Sequence, residues 1–149
     1  MANKSILLVD DNENDILLAQ RALKKSNITN NVVVARNGEE ALDYLFCRGK
    51  YASRDADCDP PVVTLLDLNM PRVHGLEVLK QIRQHPKTKN LPIVILTSSK
   101  EDSDLIQSYD LGCNAYVRKP VDFIQFAEAV KQLGIFWLLL NEQPSAISK

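Results

Sequence analysis

Residues 62–71 read Val-Val-Thr-Leu-Leu-Asp-Leu-Asn-Met-Pro, an apolar run that ends abruptly at the carboxylate of Asp67. Consecutive apolar and β-branched residues are typical of a strand that is covered on both faces, as in a parallel sheet. Similar short runs occur elsewhere along the chain, at residues 5–9, 32–35, 93–96 and 115–117. The sequence therefore predicts five short strands of a parallel sheet.

Segments with helical periodicity separate these runs. The first covers about residues 14–25, the second begins at the N-cap residue Asn37 with Glu40 three positions later, and the fifth begins near Val121. The third and fourth carry apolar stripes at helical spacing, and Gly112 supplies the stop signal of the fourth. This alternation predicts an α/β fold, a doubly wound five-stranded parallel sheet with helices on both faces. The ligand site of such a fold lies at the carboxyl ends of its strands.

The composition limits the classes of function. The chain has 149 residues, enough for one domain, and its 45% hydrophobic and 25% charged residues are ordinary for a globular protein. Eighteen basic and nineteen acidic residues leave a net charge of -1, which disfavours nucleic-acid binding by bulk electrostatics. The longest apolar run, residues 135–140, is much shorter than the roughly 18 residues of a membrane span. With no leader-like N-terminus and three cysteines typical of reduced thiols, the protein is expected to be cytoplasmic and to bind neither nucleic acid nor membrane.

Polar side chains follow four of the five predicted strands. They are Asp10 and Asp11, Asp67, Thr97 and Ser98, and Lys119. Taken singly, such residues are most often turn formers or helix caps. Because the carboxyl ends of parallel strands meet at one edge, we expect these groups to share a pocket, where three carboxylates repel one another unless a cation lies among them. Hard oxygen ligands with room for water favour Mg²⁺, so the sequence predicts a cation and phosphate site.

The order and spacing of four motifs resemble the receiver domain of two-component response regulators over about residues 4–132. These motifs are Asp10-Asp11, Asp67-Leu-Asn-Met-Pro71, Leu-Thr97-Ser98 and Lys119-Pro120. The resemblance implies a flavodoxin-like sheet with the strand order 2-1-3-4-5. It also implies that Asp67 accepts a phosphoryl group from a histidine kinase. Asp11, Asp67 and the backbone carbonyl of Asn69 would then bind Mg²⁺, and Asp10 would hold the water ligands of the metal.

The same resemblance implies a conformational switch. Thr97 and Lys119 would bind the phosphoryl oxygens, and Tyr116 would be the aromatic side chain that swings inward when Thr97 is recruited. The repacked face would then pass the signal to a partner.

The expected domain organisation is a receiver domain over residues 1–141 with an extended C-terminal helix and a long surface loop at residues 48–61. Residues 142–149 are expected to form a flexible tail, and too little chain follows Lys119-Pro120 for an output domain. The signal must therefore act through contacts between proteins.

An apolar stripe near the C-terminus is predicted either to fold back on the domain or to form a homodimer interface. The homodimer is favoured, and its candidate residues are Phe136, Trp137 and Leu140. The long loop and the terminal Phe-Trp-Leu-Leu resemble small receivers that pair with bacterial phytochrome-type histidine kinases.

Two other classes of function remain open from the sequence. A hydrolase of the haloacid dehalogenase type also forms an aspartyl phosphate, but it requires a second acidic residue where this chain has Asn69. A degenerate receiver that serves only as a protein-binding scaffold does not need the complete set of acidic, hydroxyl and lysine side chains. The favoured interpretation is a phosphoacceptor switch rather than an enzyme, catalysing only its own phosphoryl transfer and slow dephosphorylation.

Overall fold

The computed structural model describes residues 5–25, 31–53, 60–70 and 72–119. Its strands are β1 (Ile6–Val9), β2 (Val32–Ala35), β3 (Val63–Leu66), β4 (Ile93–Thr97) and β5 (Ala115–Arg118). Its helices are α1 (Glu13–Lys25), α2 (Gly38–Leu45), α3 (Gly75–Gln84) and α4 (Asp102–Asp110), with a short 3₁₀-helix at Gly49–Tyr51. The fifth helix predicted from Val121 lies outside the described residues, as do Phe136, Trp137, Leu140 and residues 142–149.

The five strands form one parallel sheet in the order β2-β1-β3-β4-β5, which confirms the predicted topology. In this order β1 and β3 are neighbours, and Val9 is paired with Leu66 at their carboxyl ends. The backbone pairing continues one residue further, because the Asp67 N–H donates to the Val9 carbonyl at 2.9 Å. The residues that follow β1 and β3 are therefore held side by side by the sheet itself.

The apolar core lies on both faces of the sheet, as the uninterrupted apolar runs predict. Every residue of β1, β3 and β4 is buried. One face packs against α2 and α3 through residues such as Leu42 and Leu79, and the other packs against α1 through residues such as Ile16 and Leu23. The central strands are thus fixed by packing on two sides, which gives a rigid base for the loops at their ends.

Two local signals predicted from the sequence are confirmed at the helix ends. The side chain of Asn37 accepts a hydrogen bond from the Glu40 N–H at 2.8 Å and so caps α2. Gly112 has a φ of +95°, the left-handed conformation that glycine adopts without strain after a helix C-terminus. The chain therefore leaves α4 in the direction needed to form β5.

The predicted surface loop at residues 48–61 begins with the short 3₁₀-helix. Its Tyr51 ring contacts Tyr44 edge to face at 5.1 Å between centroids. The prediction that all three cysteines are reduced is wrong for Cys47, which is disulfide-bonded, whereas Cys113 is free and buried. Spacing along a chain does not say which thiols the fold brings within bonding distance.

No helix in the described ranges has both the length and the hydropathy that crossing a bilayer requires.

Candidate functional site

The structure brings three of the predicted carboxylates together. Asp10 and Asp11 follow β1, Asp67 follows β3, and one oxygen from each lies within 4.8 Å of the others. Asp10 and Asp67 are 4% and 5% exposed, whereas Asp11 is open to solvent. Oδ1 of Asp67 is buried and has no hydrogen-bond partner in the described part of the chain. Hard oxygen donors with an unpartnered buried atom among them suit a divalent cation such as Mg²⁺.

Lys119 and Thr97 close the site from the side of β4 and β5. The ammonium of Lys119 contacts Oδ2 of Asp10 at 2.9 Å. Thr97 is fully buried at the end of β4, and its carbonyl accepts the Lys119 N–H at 2.6 Å. The hydroxyl oxygen of Thr97 accepts the Ser99 N–H at 3.2 Å. The end of β4 thus fixes both residues at the edge of the carboxylate cluster.

In the metal-free protein, the surroundings of Asp67 make its carboxylate a stronger base than that of an exposed aspartate. Burial, followed by the negative charge of Asp10, raises the pKa of Asp67 to about 6, although the Lys119 ammonium and the Thr97 hydroxyl partly oppose this shift. Burial alone would lower the pKa of Lys119, but hydrogen bonds to Asp15 and Asp10 raise it above its ordinary value. The lysine therefore stays charged and is the positive group of the cluster.

This pKa leads to a prediction for the stability of the metal-free protein. Because folding raises the pKa of Asp67 from 3.8 to about 6, the folded state holds more protons than the unfolded state between these values, and stability falls as the pH rises through them. Relative to Asp67→Asn, the wild type should lose about 2 to 3 kcal/mol of unfolding free energy between pH 4 and pH 7. Urea unfolding of both proteins at several pH values checks this, and a difference that does not change with pH would contradict it.

Two glycines let the β3–α3 loop approach its neighbours closely. A Cβ on Gly75, the first residue of α3, would overlap the Asp67 carbonyl and lie 2.5 Å from Leu68 Cα. The Gly75 N–H donates to the Leu68 carbonyl at 2.8 Å. A Cβ on Gly38, the first residue of α2, would overlap the backbone of Val73. These backbone contacts hold in place the loop that follows Asp67.

The chain matches the response regulator receiver domain family over residues 6–131. This match covers most of the chain, and the sheet order and strand-end carboxylates agree with it. The protein belongs to the response regulator receiver family.

Several relatives of this receiver domain are phytochrome response regulators. The response regulator Rcp1 of Synechocystis sp. is 37% identical over 143 residues, which are 96% of this chain and 95% of Rcp1. The structure of the phosphorylated cyanobacterial phytochrome response regulator RcpA is 40% identical, with a TM-score of 0.84 over 95% of this chain and 99% of RcpA. The bacteriophytochrome response regulator AtBRR is 51% identical, with a TM-score of 0.75 over 94% of this chain and 99% of AtBRR. These relatives are therefore about one receiver domain long.

The Rcp1 structure also bears on the metal. Rcp1 has been solved in a Mn²⁺-bound form, with a TM-score of 0.82 and 37% identity over 95% of this chain and 99% of that chain. Receiver domains bind a divalent metal, and the cluster of Asp10, Asp11 and Asp67 has oxygen atoms that fit such an ion.

Two further predicted residues, Asn69 and Tyr116, are not members of the carboxylate cluster. Asn69 is exposed in the loop two residues after Asp67. Tyr116, in β5, packs its ring against the core cluster on the α2 and α3 face, and its hydroxyl is buried. Burial, followed by the carboxylate of Asp104, raises the pKa of the Tyr116 hydroxyl. The Tyr116 side chain is therefore partly buried, with its hydroxyl shielded from solvent.

Sequence reasoning missed one charged member of the site. Asp15, in the first turn of α1, contacts the Lys119 ammonium at 2.8 Å through Oδ2. The available signal was its place in the first turn of α1, the helix that directly follows the end of β1. An acidic residue there points back toward the end of β1 at the same edge of the sheet.

Proposed function

We propose that this receiver domain accepts a phosphoryl group onto Asp67 from the phosphohistidine of a histidine kinase, in a reaction that depends on Mg²⁺. The observation that carries this proposal is the buried, unpartnered Oδ1 of Asp67 beside two further carboxylates and the Lys119 ammonium. A carboxylate oxygen with no competing hydrogen bond is free to act as a nucleophile.

The transfer is a simple displacement at phosphorus. A carboxylate oxygen of Asp67 forms the new O–P bond, and the P–N bond to the kinase histidine breaks, with its electron pair returning to the imidazole nitrogen. Asp11, Asp67 and the Asn69 carbonyl would hold Mg²⁺, and Asp10 would hold its water ligands; the bound ion would neutralise charge on the phosphoryl oxygens. Lys119 supplies the second positive charge, which reduces repulsion between Asp67 and the anionic donor.

Phosphorylation of Asp67 changes the conformation of the domain through Thr97 and Tyr116. The buried Thr97 hydroxyl lies at the end of β4, where it binds a phosphoryl oxygen on Asp67. Recruitment of Thr97 leaves room into which the Tyr116 ring swings, so the face formed by α4 and β5 repacks. The domain then signals through protein contacts that depend on phosphorylation.

The proposed kinase is of the phytochrome type. Similarity to RcpA and AtBRR over nearly their whole lengths supports this assignment.

The protein acts in the cytoplasm without binding nucleic acid or membrane, and it forms a homodimer through Phe136, Trp137 and Leu140. Sedimentation of the purified protein at micromolar concentration tests the dimer, and a monomer in both phosphorylation states would contradict it.

Intact-mass measurement after incubation with Mg²⁺ and acetyl phosphate tests the central reaction. The expected result is one added phosphoryl group that is lost slowly on standing, with no addition when EDTA replaces Mg²⁺. Rapid turnover of many phosphate esters would instead indicate a hydrolase. No addition from acetyl phosphate or from an autophosphorylated phytochrome kinase would indicate a scaffold.

A further inference from the structure

The ammonium of Lys119 is shared between two carboxylates, and neither of them is Asp67. It lies 2.8 Å from Oδ2 of Asp15 and 2.9 Å from Oδ2 of Asp10. The lysine side chain is 11% exposed and that of Asp15 is 32% exposed, so the contact is only partly screened by water. Among the hydrogen bonds of the described residues, none joins Lys119 to Asp67.

The place of Asp15 is set by the start of α1. The Asp15 N–H donates to the side chain of Asn12 at 3.1 Å, which caps the first turn of the helix. The Asn12 N–H in turn donates to Oδ1 of Asp10 at 3.0 Å. These two bonds link the helix start to the carboxylate cluster and hold Asp15 on the α1 side of the Lys119 ammonium.

These two contacts leave Lys119 fewer N–H donors for a group on Asp67. An ammonium has three N–H donors, and Asp15 and Asp10 take two of them. A phosphoryl group on Asp67 brings anionic oxygens that compete with Asp15 for the same charge. The Asp15 carboxylate also adds negative charge close to the incoming donor, which raises the electrostatic cost of its approach.

We propose that Asp15 is a positioning residue that draws the Lys119 ammonium toward α1 and thereby slows phosphorylation of Asp67. This inference rests on the proposed phosphoacceptor function. It predicts that the ion pair between Asp15 and Lys119 weakens when Asp67 is phosphorylated, because the lysine then binds the phosphoryl oxygens.

The test compares two matched variants of the full chain. Asp15→Asn keeps the size of the side chain and an oxygen acceptor but removes the charge that holds Lys119. Glu13→Gln removes the same charge from the same helix turn, but Glu13 pairs with Arg36 at 3.2 Å, away from the cluster. With Mg²⁺ and acetyl phosphate, Asp67 forms an O–P bond and acetate leaves with the electron pair of the broken O–P bond. Intact mass gives the rate of this step.

Asp15→Asn should be phosphorylated about two- to five-fold faster than the wild type, the range expected of a partly exposed ion pair, and Glu13→Gln should match the wild type. The ¹⁵Nζ signal of Lys119, identified by its absence in Lys119→Arg, should shift in Asp15→Asn and stay in place in Glu13→Gln. An unchanged or lower rate for Asp15→Asn, or an unmoved Lys119 signal, would overturn the inference while leaving the phosphoacceptor function intact. Failure of the wild type to be phosphorylated by acetyl phosphate or by a kinase would overturn the proposed function itself.

Discussion

Asp67→Asn should abolish phosphorylation by both acetyl phosphate and a phytochrome-type kinase. The substitution replaces the nucleophilic carboxylate by an amide of the same size and removes one of the three negative charges of the cluster. The loss should be complete within the sensitivity of intact-mass measurement, because in the proposed mechanism no other group forms the O–P bond. The variant should be at least as stable as the wild type, because the neutral amide avoids the cost of burying a negative charge. That cost is the main reason why the pKa of Asp67 is raised to about 6.

A suitable control is Glu77→Gln. Glu77 is an exposed residue in the first turn of α3, and its carboxylate accepts a hydrogen bond from the side chain of Gln81 at 3.1 Å. This variant should be phosphorylated at the wild-type rate. A phosphoryl adduct of undiminished yield on Asp67→Asn would place the acceptor elsewhere and contradict the assignment.

Gly75→Ala should destabilise the fold and slow phosphorylation together. The added Cβ would overlap the Asp67 carbonyl and lie 2.5 Å from Leu68 Cα, and both of these are backbone atoms that cannot rotate away. Either α3 or the residues after β3 must shift. We expect a loss of about 3 kcal/mol in unfolding free energy, at the upper end of the cost of overpacking a buried site. The displaced Asp67 should also react more slowly.

Lys80→Ala is the matched control, because it places alanine on the exposed face of the same helix. Urea unfolding and the rate of phosphorylation should both remain close to the wild type. If Gly75→Ala unfolded at the same urea concentration as Lys80→Ala, the close approach of α3 to the Asp67 backbone would not matter for stability.

The sheet, and the clustering of carboxylates at the ends of its strands, could be predicted from local patterns in the sequence. The strands covered on both faces have uninterrupted apolar runs, and the first polar residue after each run marks the edge of the sheet. Because β1 and β3 are neighbours, Asp10 and Asp67 meet once the topology is fixed. Cap residues are equally local, so Asn37 and Gly112 were also predictable.

Features that depend on contacts between distant segments were not predictable in this way. Asp15 is joined to Lys119 across 104 positions of the chain, and its place in the first turn of α1 does not by itself indicate which cation it meets. The close approach of Gly75 to the backbone of Asp67 and Leu68 likewise becomes visible only in the folded chain. The bonding state of Cys47 likewise depends on the folded path of the chain.

The most direct test of the central claim is to locate the phosphoryl group on the chain. Borohydride reduces an aspartyl phosphate to homoserine, which marks the acceptor permanently for peptide mass spectrometry. After reaction with Mg²⁺ and acetyl phosphate, and separately with an autophosphorylated phytochrome kinase, we expect homoserine at position 67 in both samples. Homoserine at another position, or none from either donor, would contradict it.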